Sequence, residues 1–198
     1  MFTPPRHTLL ILLLPSILVF PSTLPAQVAF PASPLARQDA AGYLQPLNKS
    51  GVVKYKVIAS DFATNQAAAI GKYTGHRITV IGRVSHLSKG HGENKILVVT
   101  IQDASASLPA VKGEFRYGSI PDNSEVQISA DKSVATLISR DGSGNIVSQS
   151  PFLSLDQTVA IKGDFSEVSV GDIVLTGCKI IPKERLPELR NELKSSQG

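Results

Sequence analysis

Two histidines, His86 and His91, flank a glycine-bearing stretch that also carries Glu93. Imidazole and carboxylate groups ligate metals, but three of them leave a tetrahedral site one ligand short, and His86 falls at the end of an apolar alternation. No metal site is expected. Cys178, the chain's only cysteine, lies in the alternating set Val174, Thr176, Cys178 and Ile180. A small buried side chain fits that setting better than a reactive thiolate. Asp61, Asp103, Asp164 and Asp172 stand at element ends or turns, with no spacing that would set two carboxylates about one bond. Ser105 and Ser107 lack both the glycines of a nucleophile elbow and a partnered histidine. No catalytic residue and no cofactor is expected, and the chain reads as something other than an enzyme.

What remains is the chemistry of binding. Arg83, Lys112 and Arg116 occupy strand-like runs and put cations on one outward surface, with Tyr117 nearby. Cationic grooves with stacking rings are how single-stranded nucleic acid is held. Three things weigh against that ligand: the chain has no tryptophan, Phe115 and Tyr117 are expected to share an apolar face, and an exported protein leaves cellular RNA behind. The net charge of +4 is too mild to demand a polyanion.

Export is expected from the first residues. Arg6 and His7 precede an almost unbroken apolar run from Leu9 to Phe20, the layout of a signal peptide. The run is shorter than the roughly 20 residues of a bilayer-spanning helix and carries Pro15, with Pro21 just beyond it, so no permanent span is expected in the mature form. Pro25-Ala26-Gln27 offers a cleavage junction after Ala26, and the lack of a cysteine there argues against a lipid anchor. Residues 27–51, rich in Ala, Pro, Ser and Gln, read as a flexible tether. The rest is of single-domain length, and with one cysteine its stability must come from packing.

The elements that would position the binding groups follow from periodicity. Val53, Tyr55 and Val57 alternate with lysines as in a strand or extended lead-in, and a helix is expected to start at Ser60 or Asp61, run through Ala67-Ala68-Ala69 and stop at Gly75. Ile78, Val80 and Val84 define a long first strand, with Gly82 where it bulges or bends. The loop Ser88 to Asn94 turns it into a second strand, Ile96 to Ile101. Val111, Phe115 and Tyr117 alternate with Lys112, Glu114 and Arg116 in a third. Between Gly118 and Phe152 lie strand-like pieces, with Asp141 to Asn145 as the turn of an inserted hairpin. Val159, Ile161 and Phe165, then Ile173 to Ile181, make two closing strands, ended by Pro182. Pro187 interrupts the charged tail, so a short surface helix or frayed end is expected there rather than a core element.

Two blocks carry a family resemblance. Asn65-x3-Ala69-x3-Tyr73-x-Gly75, followed by Ile78-Thr79-Val80-Ile81-Gly82-Arg83-Val84, is one. Leu155-x3-Val159-x-Ile161-x-Gly163, followed by Asp172-Ile173-Val174-Leu175-x2-Cys178, is the other. Together they resemble the bacterial exported proteins with a tRNA_anti-like, OB-type domain. The sequence departs from that pattern at His76-Arg77 and Asp156-Gln157, and its 118–152 segment is longer than the family's connection. The resemblance implies a mainly β fold: a five-stranded OB-type barrel with an N-terminal helix and an inserted β-hairpin. The expected organisation is a signal peptide at 1–26, a linker at 27–51, the barrel domain at 52–182 and a tail or short helix at 183–198.

The resulting functional expectation is an exported, periplasmic or extracellular, non-catalytic binding module for a protein, peptide or glycan. Its open face would be bordered by the Lys89 to Asn94 loop and the 118–152 insertion, with Arg83, Lys112, Arg116 and Tyr117 as the candidate ligand-binding residues. A single-stranded nucleic-acid-binding OB domain is the alternative on the same residues. A structural or assembly factor at the cell envelope, reaching its partner by the tether, is the other.

Overall fold

The computed structural model describes residues 44, 46–91, 95–103 and 107–195, all within the unit formed by residues 34–198. The expected signal segment and most of the tether lie outside the described residues, as do Glu93, Asn94 and Ser105. Before the first strand, Asn48 grips the backbone of Val52, accepting its N–H at 3.0 Å and donating to its carbonyl at 2.8 Å. Leu44 and Leu47 pack against the core.

Strand β1, Val52–Lys54, runs parallel to β2, Arg77–Lys89. The chain then turns directly into helix α1, Tyr55–Thr64, and after Asn65 into α2, Gln66–Tyr73. The strand expected through Val57 is thus cut short, and the helix begins well before Ser60. Two periods overlap here. The helical one prevails because Tyr55, Ile58, Ala59 and Phe62 form a stripe that buries together, whereas Val57 is left exposed. Ser60 and Asp61 are therefore interior helical residues and not caps. The capping role belongs to Asn65, whose Oδ1 accepts the Ala68 N–H at 3.1 Å.

Five strands close into a ring: β2, β3 (Lys95–Ile101), β4 (Val111–Arg116), β8 (Thr158–Ser169) and β9 (Asp172–Ile181). The neighbour order is β2-β3-β4-β9-β8, with β8 returning to β2. All pairings in the ring are antiparallel except β4 with β9, and β1 lies outside it. This is an OB-type barrel, filled by the inward residues of each strand together with Tyr55, Phe62 and Tyr73 from the helices. Alternation along β4 sends Val111, Gly113 and Phe115 inward. Tyr117 does not share their face: the strand ends at Arg116, Gly118 turns with φ +85°, and the ring is two-thirds exposed.

The segment between β4 and β8 forms its own antiparallel sheet, β5 (Ser124–Ile128), β6 (Val134–Arg140) and β7 (Ile146–Ser154). The expected hairpin is β6–β7, and β5 adds a third strand. Its turn is tied by the Asp141 carboxylate, which accepts the N–H groups of Ser143 and Asn145 at 2.9 and 2.8 Å. Ala135 and Leu153 enter the barrel's core cluster, and Phe152 meets Phe115 edge-on at 6.5 Å between centroids.

After a 3-10 turn at Lys183–Arg185, the tail forms helix α3, Leu186–Ser195. It is more than a surface helix, because Leu189 and Leu193 are buried against Val52, Ile81 and Ala160. Pro187 does not break it. In the first turn the missing N–H would have had no helical acceptor. Among the described residues no helix is long and apolar enough to cross a membrane.

Cys178 is fully buried inside the ring, and its thiol donates to the Leu175 carbonyl at 3.4 Å. The expected alternation with Val174 and Thr176 is broken, however, because the register shifts at Gly177 (φ +59°) and the inward residues before it are Ile173 and Leu175. It fills space left by two glycines: a Cβ on Gly163 would come within 2.7 Å of Sγ, and one on Gly113 within 3.3 Å. Burial pushes the thiol up to about 12. The native protein is therefore expected to resist iodoacetamide at pH 8, with labelling that tracks global unfolding in a urea series. Rapid stoichiometric labelling of the folded chain would contradict this.

Candidate nucleic-acid or peptide interface

On the outside of the barrel, strand register assembles a row of side chains that no single strand carries. His86 on β2 stands opposite Thr100 on β3, Thr100 opposite Lys112 on β4, Lys112 opposite Val174 on β9, and Val174 opposite Glu167 on β8. A second row runs Ser88, Val98, Glu114. These residues, with His91 and Ser169, line a groove of about 500 Å³. The bulge between Val84 and His86 creates its edge, because it leaves both Ser85 and His86 pointing outward before Leu87 returns to the core.

The groove is polar and electrically mixed. The Lys112 ammonium is held by the Asp172 carboxylate at 2.6 Å, and the other oxygen of that carboxylate accepts the Ala110 N–H at 3.2 Å. Among the described residues no Phe, Tyr or Trp ring lines the groove. His86 and His91 both border it, yet among the described residues no three His, Cys, Asp or Glu side chains are grouped to hold a metal ion.

Of the four residues singled out from the sequence, Lys112 alone lies in this groove. Arg83 borders a different depression beside α3 and is paired with Asp156 at 2.8 Å. Arg116 and Tyr117 stand together at the end of β4, where the Arg116 N–H is held by Ser119 Oγ at 3.3 Å. The insertion lines an adjoining cleft with the end of β2, formed by Leu87 to Lys89, His91, Val126 to Ala130 and Lys132, which shares Ser88 and His91 with the groove. Thr100, Glu167 and Ser169 were passed over in the sequence, and only cross-strand register could have pointed to them. The four scattered aspartates each hold a cation: Asp61 with Lys72, Asp103 with Lys56, Asp164 with Arg77 and Asp172 with Lys112.

Comparison with known proteins gives a family and a solved structure of limited similarity. The tRNA_anti-like family matches residues 5–179. No curated protein matches the chain. Among solved structures, a "putative nucleic acid-binding lipoprotein" from Klebsiella pneumoniae subsp. pneumoniae is similar at 16% identity and a TM-score of 0.43, over 73% of this chain and 97% of that one.

Proposed function

Because the chain belongs to the tRNA_anti-like family, we propose that it is an exported, non-catalytic binding module whose barrel groove takes an extended polar peptide segment of a partner protein. The observation that carries this reading is the row His86, Thr100, Lys112, Val174 and Glu167 across the ring. It offers hydroxyl, imidazole and carboxylate groups to a peptide backbone and its side chains, with an apolar contact between them. Single-stranded nucleic acid is held by stacking rings and uncommitted cations; among the described residues this groove has no Phe, Tyr or Trp, only the His86 and His91 imidazoles, and its lysine is neutralised by Asp172. Export is supported by the charged start and apolar run of residues 6–20.

A photocrosslinking residue at position 86 or 167 of the full chain, expressed in its own host, is expected to trap a discrete protein adduct that Lys112→Glu abolishes. The same residue at position 162, on the exposed part of β8, should trap none. A labelled oligonucleotide that bound below ~100 μM at low salt, and was released by Lys112→Glu, would overturn the peptide reading in favour of nucleic acid.

A further inference from the structure

A second groove, of about 430 Å³, shares no residue with the first. Its floor includes Tyr55, Ile81, Gly82 and Leu193, and its walls carry Lys54, Lys56, Arg83, Arg190 and Lys194 with, among the described residues, a single carboxylate, Asp103. The buried leucines Leu189 and Leu193 dock α3 against Val52 and Ile81, which brings Arg190 and Lys194, one helical turn apart, beside the end of β1. Two of the five cations are neutralised, Lys56 by Asp103 at 3.2 Å and Arg83 by Asp156 at 2.8 Å. Among the described residues no carboxylate pairs with Lys54, Arg190 or Lys194.

Three like charges gathered around one concavity repel each other, and a multivalent anion would relieve that repulsion. A lone carboxylate answers one or two donors. A phosphoryl group carries up to two charges and three acceptor oxygens, which suits an arginine fork and two ammonium groups. The groove lies within the range of small-molecule sites, about 300–1,000 Å³, and its partly apolar floor leaves room for a carbon skeleton. We propose that this groove binds a small organic phosphate, with Lys54, Arg190 and Lys194 contacting the phosphoryl oxygens and Ile81 and Leu193 contacting the carbon portion.

The test is a titration of the full chain with glycerol 3-phosphate, followed by nitrogen-15 NMR. Saturable shifts are expected at the amides of residues 54, 83, 190 and 194, with a Kd below roughly 1 mM. Arg190→Ala combined with Lys194→Ala should weaken binding at least about tenfold, since charged hydrogen bonds are lost. Both side chains are exposed, so the fold should survive. Lys162→Ala, an exposed cation outside both grooves, should leave the affinity unchanged. The proposal is overturned if no shift saturates by ~10 mM, about ten times the expected Kd. Inorganic phosphate binding as tightly as glycerol 3-phosphate would also overturn it. So would binding of phosphatidylglycerol vesicles, or of a single-stranded oligonucleotide, without binding of the small phosphate. An oligonucleotide held here would be released by the Arg190→Ala, Lys194→Ala pair and not by Lys112→Glu, and the other results do not bear on crosslinking at positions 86 and 167, so this proposal and the peptide reading fail separately.

Discussion

Gly82→Ala is expected to lower the stability of the protein by about 3 kcal/mol or more, through overpacking. A Cβ at this position would collide with Ile101 Cγ2 and lie 2.9 Å from Tyr55 Cβ. Neither neighbour can yield easily. Ile101 is fully buried within β3, and Tyr55 is the first residue of α1, so displacing it moves the helix that covers this part of the barrel. For a chain of this size the loss corresponds to a fall in Tm of roughly 6–12 °C. Ile101→Ala should be destabilising alone, yet combined with Gly82→Ala it should cost less than the sum, because the colliding methyl is gone. Differential scanning calorimetry on the four proteins of the cycle measures this. Additive effects would show that the glycine is needed for some reason other than this contact.

Asp61→Ala is expected to cost about 3–5 kcal/mol, as when one partner of a buried ion pair is removed. The Asp61 carboxylate accepts from Lys72 Nζ at 2.6 Å and from the Tyr73 hydroxyl at 2.7 Å, with both charged side chains nearly out of solvent at 13% and 11% exposure. Lys72 Nζ also lies 5.0 Å from the centre of the Tyr73 ring. Without Asp61 the ammonium is stranded and the phenol loses its acceptor. Lys72→Met in the same chain should recover much of the loss, because no unpaired charge then remains. Chemical denaturation with the m-value checked for constancy is the measurement.

The same triad contributes to the alkaline limit of the fold, together with the buried Cys178 thiol. Burial first, then the hydrogen bond to Asp61 and its negative charge, raise Tyr73 far above the ordinary tyrosine value of 10.0. The folded protein therefore keeps a phenolic proton that the unfolded chain releases. The stabilisation is fully present below about pH 10 and is lost as the pH rises beyond it. Tyrosinate absorbance from Tyr73 should emerge only with unfolding, and titration of Tyr73 in a chain that stayed folded would contradict the arrangement.

Much of this architecture was legible because its strands alternate cleanly. Val111 to Arg116 could be read residue by residue, since every second side chain enters the ring. The errors lie where one stretch supports two periods or where a neighbour distant in sequence decides. Val53 to Ile58 fits both a strand and a helix, and the helix won by burying Ile58 and Phe62. Gly82 stood where a bulge or bend was expected; the bulge lies at Val84 and His86, and the missing side chain is required by the approach of Ile101 and Tyr55. Pro187 was read as an interruption because its effect depends on where the helix begins. The groove was the least legible part: Lys112 could be found on its strand, but its opposition to Thr100 and Val174 depends on register with two other strands.

Closing the ring brings Ile78 on β2 beside Gly163 on β8, and β3, β4 and the three-stranded insertion lie between them in the chain. Such a pairing forms late, because the entropy of joining distant segments is lost before their contacts are gained. That loss grows only with the logarithm of the intervening length, about 0.6 kcal/mol for each doubling. An excursion between β4 and β8 therefore adds little to the folding barrier, and the pace of assembly is governed by the order in which strands meet more than by how far the chain wanders between them.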